Sequence, residues 1–503
     1  METWAVSRWL CGVLAMAAVA AAGADAAKLP AFPGAEGFGA TSVGGRGGRV
    51  IKVTNLNSTG RGSLQWACEQ KGPRTVVFDV SGIIVAPGKG KNQRITITQP
   101  SIYIAGQTAP GAGITIVGKL TAQMPGAYQS RKDEVKHGDY RLHDITIRFV
   151  RTRPEKYPPF VTGGRSFEIQ FTDRSIIDHC SMAWAVDEEL LYFASSEFTV
   201  QWCTVEESAI AWEKSGQHNY GLLLGYLHIN PLLRDKLGAS IHHNLFAHHS
   251  ERAPLIGVEV TDYRNNVVYN VGEAIQFHPP RFNNRRPGRP IGGNVVANYF
   301  KRGPGGPAGR ASFLPPTNRA TPGITMGASA KGCVFAKDNY FAWAGKYADH
   351  DPRIVEVLKK YTPDLIAQRP WPAPRLTTQK AGEAYELVLA HAGCLPRDAV
   401  TRRTIEETRA GTGIWGRHDP KGGLMEGLTP AEAPPDADKD GLPDEWEKAH
   451  ELDPKDPADA NRTVPAGASQ DDRHSGYTYI EFYINELADK LIRQAIAQAK
   501  AVR

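Results

Sequence analysis

Four histidines and one arginine share the stretch SIHHNLFAHHSERAPLIG, residues Ser240–Gly257. Histidine is the commonest metal ligand and a frequent catalytic base, and an arginine beside such groups can hold an anionic substrate. The stretch could therefore be a metal site, a set of catalytic bases, or a scaffold that presents Arg252.

The spacing of the histidines favours the scaffold. The helical H-E-x-x-H arrangement that binds zinc is absent from the sequence. On a strand, successive side chains point to opposite faces. We therefore expect His242 and His243 to face different sides, and His248 and His249 likewise. We interpret all four as stacked or hydrogen-bonded wall residues.

A second group of reactive side chains lies near the C-terminus. DADKDGLPDEWE, residues Asp436–Glu447, has the D-x-D-x-D-G-x5-E spacing of a calcium loop. Carboxylates this close together repel one another unless a hard cation lies among them. The predicted Ca²⁺ ligands are Asp436, Asp438, Asp440, Asp444 and Glu447.

The residues around this loop define a small module. AEAPP before it is unsuited to a helix, so a full EF-hand is not expected. The loop is similar to the single calcium-loop modules of thrombospondin-type repeats and dockerins. GYTYIEFYINELADKLIRQAIAQAK is predicted to close the module as an amphipathic helix.

The elements that would position Arg252 follow from a repeat. Short β-branched runs such as GITIVG and DITIRFV recur without a long helical pattern between them. When these runs are aligned, six residues fall at the same position of the repeat: Cys180, Cys203, Asn244, Asn266, Asn298 and Asn339. Successive members of this set are 23, 41, 22, 32 and 41 residues apart. Stacked coils bury an inner face that one coil cannot, and stacked asparagines can hydrogen-bond between coils. We predict an all-β parallel solenoid, with Cys180 and Cys203 stacked inward. A β-sandwich with chance spacing is the alternative.

The N-terminus predicts export. Arg8 precedes the apolar run Trp9–Ala22, and ADA precedes Ala27, which is the pattern of a secretory signal peptide. The apolar run is too short to span a bilayer. We expect cleavage near Ala26, an extracellular or periplasmic protein, and no membrane span.

Charge is unevenly distributed along the 503 residues, whose net charge is +6. Residues 431–503 hold 16 acidic and 9 basic side chains, so residues 27–430 carry a net charge of +14. A basic exported body suits a polyanionic partner. Composition alone leaves open an acidic polysaccharide, a nucleic acid or an anionic surface.

Seven stretches resemble the pectate lyase family, polysaccharide lyase family 1. They span about residues 31–345, in the order AFPGAEGFGA, GSLQWACEQKGPRTVVFDVSGII, IAGQTAPGAGITI, IIDHCSMAWAVDEE, TVQWCTVEES, HHNLFAHHSERAPL and DYRNNVVYNVG. The resemblance implies a right-handed parallel β-helix with a cleft on one wall. It also implies cleavage of uronate polymers such as pectate by β-elimination. The expected partner is then an acidic polysaccharide rather than a nucleic acid, and the chain is expected to act as a monomer.

The resemblance also implies roles for individual residues. The family's R-x-P-L turn presents the catalytic arginine, which corresponds here to Arg252 in RAPL. A cleft lysine that assists with the substrate carboxylate corresponds by order and context to Lys214. Arg165 and His218 are the candidate substrate-binding residues. Cations in these places would stabilise the negative charge that gathers on the substrate carboxylate during elimination.

The chain departs from the family pattern at three places. Gly257 occupies the position where the family frequently has a second arginine. Leu191 occupies the position of the second acid in the family's calcium-binding wall. The family's upstream calcium-binding acid would fall near the position of Arg165. Cleft calcium could still be held by Asp187 and Glu188, or by Glu189, and the substrate carboxylate would then complete a weak site. Alternatively Arg165 replaces the cation, as in relatives that cleave methyl-esterified pectin.

Two other functions remain as alternatives. A β-helical hydrolase would need two or three close carboxylates, and a non-catalytic β-helix could simply bind polysaccharide.

The sequence predicts four segments. We expect a signal peptide over residues 1–26, a β-helix over 27–345, a Pro-rich wrap over 346–430 and an acidic calcium-loop module over 431–503.

Overall fold

The computed structural model describes residues 29–124, 142–156, 163–213, 216–225, 238–277, 291–306, 324–326, 333–342, 346–348, 366–467 and 471–501. The proposed signal peptide lies outside these residues, as does much of the first part of the proposed Pro-rich wrap. No helix within them is long and apolar enough to cross a membrane.

The chain winds into coils whose strands stack in parallel into three sheets. Strands are numbered in chain order. Within the described residues, sheet A contains β1 Arg49–Val53, β2 Arg74–Phe78, β5 Ile102–Ala105, β8 Leu142–Arg148, β11 Thr172–Asp178, β14 Ser196–Gln201, β19 Ala239–His242, β22 Val260–Arg264, β25 Gly292–Val296 and β28 Val334–Lys337. Sheet B contains β3 Gly82–Val85, β6 Ile114–Val117, β9 Val150–Thr152, β12 Ser181–Ala183, β15 Thr204–Glu206, β20 Leu245–Ala247, β23 Val267–Tyr269, β26 Tyr299–Lys301, β29 Asn339–Phe341 and β30 Lys346–Ala348.

Sheet C forms the third wall and carries the site. Its strands are β4 Arg94–Ile97, β7 Lys119–Ala122, β10 Phe167–Gln170, β13 Glu188–Phe193, β18 Tyr220–Gly225, β21 Leu255–Ile256, β24 Ile275–Phe277 and β27 Ile324–Met326. Strand β30 pairs antiparallel with β29, and a separate antiparallel hairpin joins β16 Ala211–Glu213 to β17 Gly216–His218. The predicted parallel β-helix is confirmed, and the β-sandwich alternative is wrong.

The core is a column of stacked apolar side chains. Ile104, Ile147, Ile177, Val200 and Ile241 lie at one register on successive strands of sheet A, and all are buried. Branched side chains suit this arrangement because they pack well on a pleated surface. The burial that one coil lacks is therefore supplied by its neighbours.

The predicted corner register is also confirmed. The Asn244 backbone N–H donates to Asn266 Oδ1 at 3.0 Å, and the Asn266 N–H donates to Asn298 Oδ1 at 2.9 Å. The ladder continues to Asn339 at one end. At the other end, Cys203 N–H donates to Asn244 Oδ1 at 2.8 Å. Cysteines replace asparagines beyond that point, and the five described cysteines are free thiols.

Five α-helices lie outside the sheets in the described residues. They are α1 Leu64–Glu69, α2 Ala381–His391, α3 Ala399–Ala410, α4 Asp444–Ala449 and α5 Tyr479–Ala501, accompanied by 3-10 turns at Gly90–Asn92, Gly106–Thr108, Asp459–Asn461 and Asp472–His474. Helix α1 packs on the first coil. Helices α2 and α3 cover sheet B, where Val388 and Ile405 pack with Leu245 and Tyr269.

The acidic tail packs on the outside of sheet A. Leu442, Ile480 and Ile484 form one apolar cluster with Val77 and Tyr103 of strands β2 and β5. Two ion pairs beside this cluster also join the tail to the β-helix. Arg46 lies 2.8 Å from Glu481, and Lys52 lies 2.5 Å from Asp436. The predicted closing helix is confirmed as α5.

Candidate functional site

The site is a row of charged residues where strands of sheet C begin. Glu188 pairs with Tyr220 in the β13–β18 register, and backbone bridges continue from Tyr220 to Glu251 and from Glu251 to Glu273. Each step crosses to the next coil, about 4.8 Å away. The row therefore runs along the solenoid axis, the direction that a linear polymer would follow.

Arg252 is held in this row by its backbone. Its φ of 65° lies in the left-handed region, which is uncommon for arginine. Its N–H donates to the Glu273 carbonyl at 3.0 Å, and its own carbonyl accepts from Leu222 N–H at 2.6 Å. A Cβ at Gly221 would lie 2.5 Å from the Arg252 carbonyl oxygen. A glycine is therefore required where the two chains approach.

Among the cations of the row that the structure describes, Arg252 has the most exposed side chain. Its Nη1 donates to Glu188 Oε1, and its Cζ lies 3.8 Å from the centroid of the Tyr220 ring. The side chain of Arg252 is 21% exposed against 3% for that of Glu188. Burial alone would lower the pKa of Arg252, but the carboxylates of Glu188 and Asp187 outweigh it, so this pKa is raised.

Arg165 lies among three carboxylates. It donates to Glu188 Oε2 at 2.9 Å, to Asp187 Oδ2 at 3.0 Å and to Glu168 Oε1 at 3.4 Å. Lys119 donates to Glu168 Oε2 at 2.6 Å. Burial opposes ionisation of Asp187, but contact with His218 and the charge of Arg165 lower its pKa overall. The three acids are thus matched by the cationic side chains of Arg165, Lys119 and Arg252.

This arrangement does not fit a calcium ion in the cleft. Arg165 contacts each of the three acids that a cation would bridge. Glu189 is fully buried, burial raises its pKa to about 8, and it accepts from Ala185 N–H rather than facing the row. Leu191 packs in an apolar cluster with Phe171. Among the described residues, acidic groups close enough to share one ion occur in the tail.

The other predicted cleft residues have different outcomes. His218 Nδ1 lies 3.5 Å from Asp187 Oδ1, so the structure brings His218 into the row. Lys214 lies outside the described residues. Sequence reasoning missed Lys119, Glu168 and Tyr220, because no local motif marks them and only the stacking of coils brings them together.

The four histidines form no metal site within the described residues. All are buried. His248 lies 3.0 Å from Glu407, and His249 contacts Ser208 Oγ at 2.7 Å. The scaffold interpretation is supported, but the strand-alternation argument was wrong for His242 and His243. His242 Nδ1 contacts His243 Nδ1 at 2.8 Å, because His243 lies at a corner with φ of 55°.

The tail brings together most of the predicted calcium ligands and adds one. Oxygens of Asp436, Asp438 and Asp440 lie within 4.8 Å of one another, as do oxygens of Asp440, Glu447 and Asp459. Asp459, in the second loop of the module, was missed because it lies outside the twelve-residue motif.

Two of the predicted ligands are used differently. Asp444 Oδ1 accepts from Ala437 N–H at 2.7 Å, which closes the loop. Asp436 is already bound by Lys52 and by the Gly441 N–H at 3.0 Å.

The remaining carboxylates fit a cation. Five carboxylate oxygens are buried and accept no hydrogen bond from the part of the chain that the structure describes: Asp438 Oδ2, Asp440 Oδ2, Asp459 Oδ1 and both oxygens of Glu447. Burial and the neighbouring acids raise the pKa of Asp440 to about 7 and that of Glu447 to about 8. Oxygen ligands of this number and charge are those that Ca²⁺ prefers.

Comparison with known proteins identifies relatives over nearly the whole chain. It is 30% identical to the probable pectate lyase C of Neosartorya fischeri over 482 residues, which is 91% of this chain and 94% of that protein. The probable pectate lyase C of Aspergillus fumigatus is also 30% identical, over 485 residues.

Solved structures are more distant. A Bacillus subtilis pectate lyase overlaps 74% of this chain and 99% of its own, with a TM-score of 0.46 and 13% identity. The cedar pollen allergen jun a 1 overlaps 72% of this chain and 93% of its own, with a TM-score of 0.46 and 12% identity. No family model matches the chain. On the identity and coverage of its fungal relatives, this chain belongs to the pectate lyase family.

Proposed function

We propose that this protein cleaves pectate, a polymer of galacturonate, by β-elimination, with Arg252 as the base. One observation carries the proposal: in a chain of this family, the arginine of the RAPL turn is more exposed than Arg165 and Lys119, the other cations described in the row. Its backbone is fixed by Glu273, Leu222 and Gly221. A base must be held in place to reach one particular proton.

The reaction balances without an external reagent. Deprotonated Arg252 takes the proton from the carbon that bears the substrate carboxylate. That electron pair forms a carbon–carbon double bond as the bond to the glycosidic oxygen breaks. The leaving oxygen takes a proton from solvent, and Arg252 later returns its proton to solvent. The products are a shortened chain and an unsaturated uronate.

In this proposal, side-chain cations of the protein stabilise the negative charge that develops on the substrate. Negative charge gathers on the substrate carboxylate during proton removal, and fixed positive groups stabilise it. Arg165 and Lys119 would supply this field from within the wall. His218 would bind substrate beside Asp187, and Lys214 keeps its proposed role on its sequence position alone. The contacts of Arg165 with Asp187, Glu188 and Glu168 support it as the resident cation.

The tail is proposed to hold a calcium ion through Asp438, Asp440, Glu447 and Asp459, with Asp436 and Asp444 shaping the loop. Its role is structural, because the tail packs on sheet A whereas the row begins the strands of sheet C. Residues 1–26 support export through a cleaved signal peptide. Action as a monomer and the choice of polysaccharide over nucleic acid stay predictions.

The decisive experiment compares wild type with Arg252→Lys on polygalacturonate and on methyl-esterified pectin. We expect the variant to lose nearly all turnover, because lysine cannot reproduce the contact of the guanidinium with Glu188 or its position over Tyr220. Absorbance of the unsaturated product measures elimination, and a hydrolase would produce none. Arg61→Lys, at an exposed position, is the matched control. Near-normal turnover in Arg252→Lys, with circular dichroism unchanged, would remove Arg252 as the base.

A further inference from the structure

A group of cations lies where sheet C begins, one coil beyond Lys119. Lys89 and Lys91 belong to the 3-10 turn that leads into β4, and Arg94 is the first residue of that strand. The Arg94 N–H donates to the Pro87 carbonyl at 2.9 Å, which closes the turn on the strand. Lys89 and Lys91 are exposed, and Arg94 is half-buried. We call Lys89, Lys91 and Arg94 the basic turn.

Arg94 extends the line of cations in the cleft. Ile95, the next residue of β4, is fully buried in the core, so alternation along the strand places Arg94 on the outer face of sheet C. Arg94 pairs with Lys119 in the register of β4 and β7. Burial lowers the pKa of Lys119, and the charge of Arg94 contributes in the same direction. Arg94, Lys119 and Arg165 therefore follow one another on three successive coils.

The basic turn has no carboxylate of its own. Within the part of the chain that the structure describes, its three cations take part in no ion pair and no side-chain hydrogen bond. Helix α1 packs beside β4 and carries Glu69, but that carboxylate accepts from Gln65 Nε2 at 2.7 Å. Lys119, one coil away, is matched by Glu168 at 2.6 Å. The charge of the basic turn is therefore available to an anion from outside.

The row is acidic at its other end. Glu251 and Glu273 lie on successive coils and are joined by a backbone bridge. Burial raises the pKa of Glu251, Arg252 opposes this shift, and the charge of Glu273 adds to it. Adjacent carboxylates repel a polyanion, whereas the basic turn attracts one. A uronate polymer held at Arg252 would therefore extend toward the first coil.

The basic turn is several sugar units away from the proposed base. The guanidinium of Arg252 lies over Tyr220 of β18, and β4 is the fourth strand from β18 in sheet C. Four strand spacings are about 19 Å. A hexuronate unit in an extended polymer is about as long as one spacing. A trimer bound at Arg252 therefore falls short of the basic turn, whereas an octamer reaches it.

We propose that the basic turn is a distal subsite, which binds carboxylates of the acidic polysaccharide several units away from the bond that is cleaved. Lysine and arginine form charge-assisted hydrogen bonds with carboxylates, and exposed side chains suit a polymer that slides along the wall. This inference rests on the proposed function for the choice of polymer and for the position of cleavage. It adds a direction to binding and a preference for long chains with free carboxylates.

The kinetic test removes two charges from the basic turn or two from elsewhere. Lys91→Gln/Arg94→Gln is compared on polygalacturonate with wild type and with Arg375→Gln/Lys421→Gln, which changes two exposed residues of the wrap. The turn variant should raise KM about fivefold, the effect of losing two exposed charge contacts. Its kcat should stay within about twofold of wild type. The control loses the same net charge and should match wild type. An unchanged KM in the turn variant, or an equal rise in the control, would overturn the distal subsite.

A binding test separates this inference from the proposed function. Calorimetry would titrate octagalacturonate and trigalacturonate into the same three proteins, each carrying Arg252→Lys so that the sugars stay intact. The turn variant should bind the octamer about fivefold more weakly than the other two proteins, and all three should bind the trimer alike. Equal octamer affinity in all three proteins, or an equal loss with the trimer, would refute the distal subsite. If wild type cleaves no uronate polymer, the proposed function fails, and the octamer titration still measures binding at the basic turn.

Discussion

Arg252 can act as a base only in the fraction of molecules whose guanidinium has lost a proton. The carboxylate of Glu188 makes that fraction smaller, because it stabilises the charged form and contributes to the raised pKa. Elimination should therefore accelerate as the pH rises, since deprotonated Arg252 becomes more abundant. The same ion pair that positions the base also limits it at neutral pH.

Glu188→Gln tests this balance. Removal of the carboxylate lowers the pKa of Arg252, so the rising limb of the pH–rate profile should move to lower pH by about one unit or more, the usual effect of one nearby opposite charge. The profile of kcat/KM against pH is the measurement. Glu432→Gln, at an exposed position, is the control and should keep the wild-type profile. A limb that stays in place in Glu188→Gln would show that another group titrates.

The sequence predicted Glu188 only in part. It marked this residue as a metal ligand, whereas the side chain pairs with Arg165 and Arg252. A motif with fixed spacing identifies residues that lie close together within one coil of the β-helix, but not residues brought together from different coils. Lys119 and Glu168 are 49 residues apart in the chain, and their contact depends on coil stacking that no local pattern encodes.

At the scale of the elements, the corner asparagines fix how one coil sits on the next. The sequence predicted them well because four coils repeat asparagine at one register, which Cys203 and Cys180 continue. Alternation of strand side chains was a poorer guide, because it fails where a strand ends. His243 and His248 both have positive φ, and the corner geometry there decides which way their rings point.

Asn266→Ala should therefore destabilise the protein without altering the cleft. The amide of Asn266 accepts from Asn244 N–H and donates to the Ile241 carbonyl at 2.8 Å, both buried. Leaving such groups unpaired costs about 1–3 kcal/mol each. Urea denaturation should show a lower midpoint, while KM stays near wild type. Asn57→Ala, at an exposed position, should leave the midpoint unmoved. An Asn266→Ala midpoint equal to wild type would mean that the ladder adds little stability.

At the scale of the whole molecule, the tail shares an apolar cluster with the β-helix. The sequence presents it as a separate acidic module, since its charge and composition change abruptly near residue 431. The contacts of Ile480 and Ile484 with Val77 could not be predicted, because the outer face of sheet A carries no motif for a partner. Deleting the tail would expose this surface, so calcium is better tested with point variants of the full chain.

Calcium should stabilise the full chain and have no direct part in turnover. Repulsion among Asp440, Glu447 and Asp459 destabilises the ion-free fold, and an ion at 100 times its Kd adds about 2.7 kcal/mol. Chelator should therefore lower the thermal midpoint of wild type. In Glu447→Gln the calcium response should largely vanish. The ion-free variant should also be at least as stable as ion-free wild type near neutral pH, because a buried carboxyl whose pKa is raised to about 8 destabilises the fold there and a neutral amide does not. Glu445→Gln, whose carboxylate is exposed on the same helix, should respond like wild type.

Glu447→Gln also distinguishes an effect of calcium in the tail from an effect of calcium in the cleft. Well below its thermal midpoint, Glu447→Gln should turn over polygalacturonate equally in calcium and in chelator, because Arg165 already lies among the cleft acids. Arg165→Ala should then lose most of its rate in chelator, since the substrate carboxylate loses a fixed positive partner. A loss of turnover in chelated Glu447→Gln that added calcium restores would contradict this assignment. It would instead indicate a weak cleft ion that substrate completes, in which case calcium should bind the substrate-free cleft poorly and bind more tightly once oligogalacturonate is present.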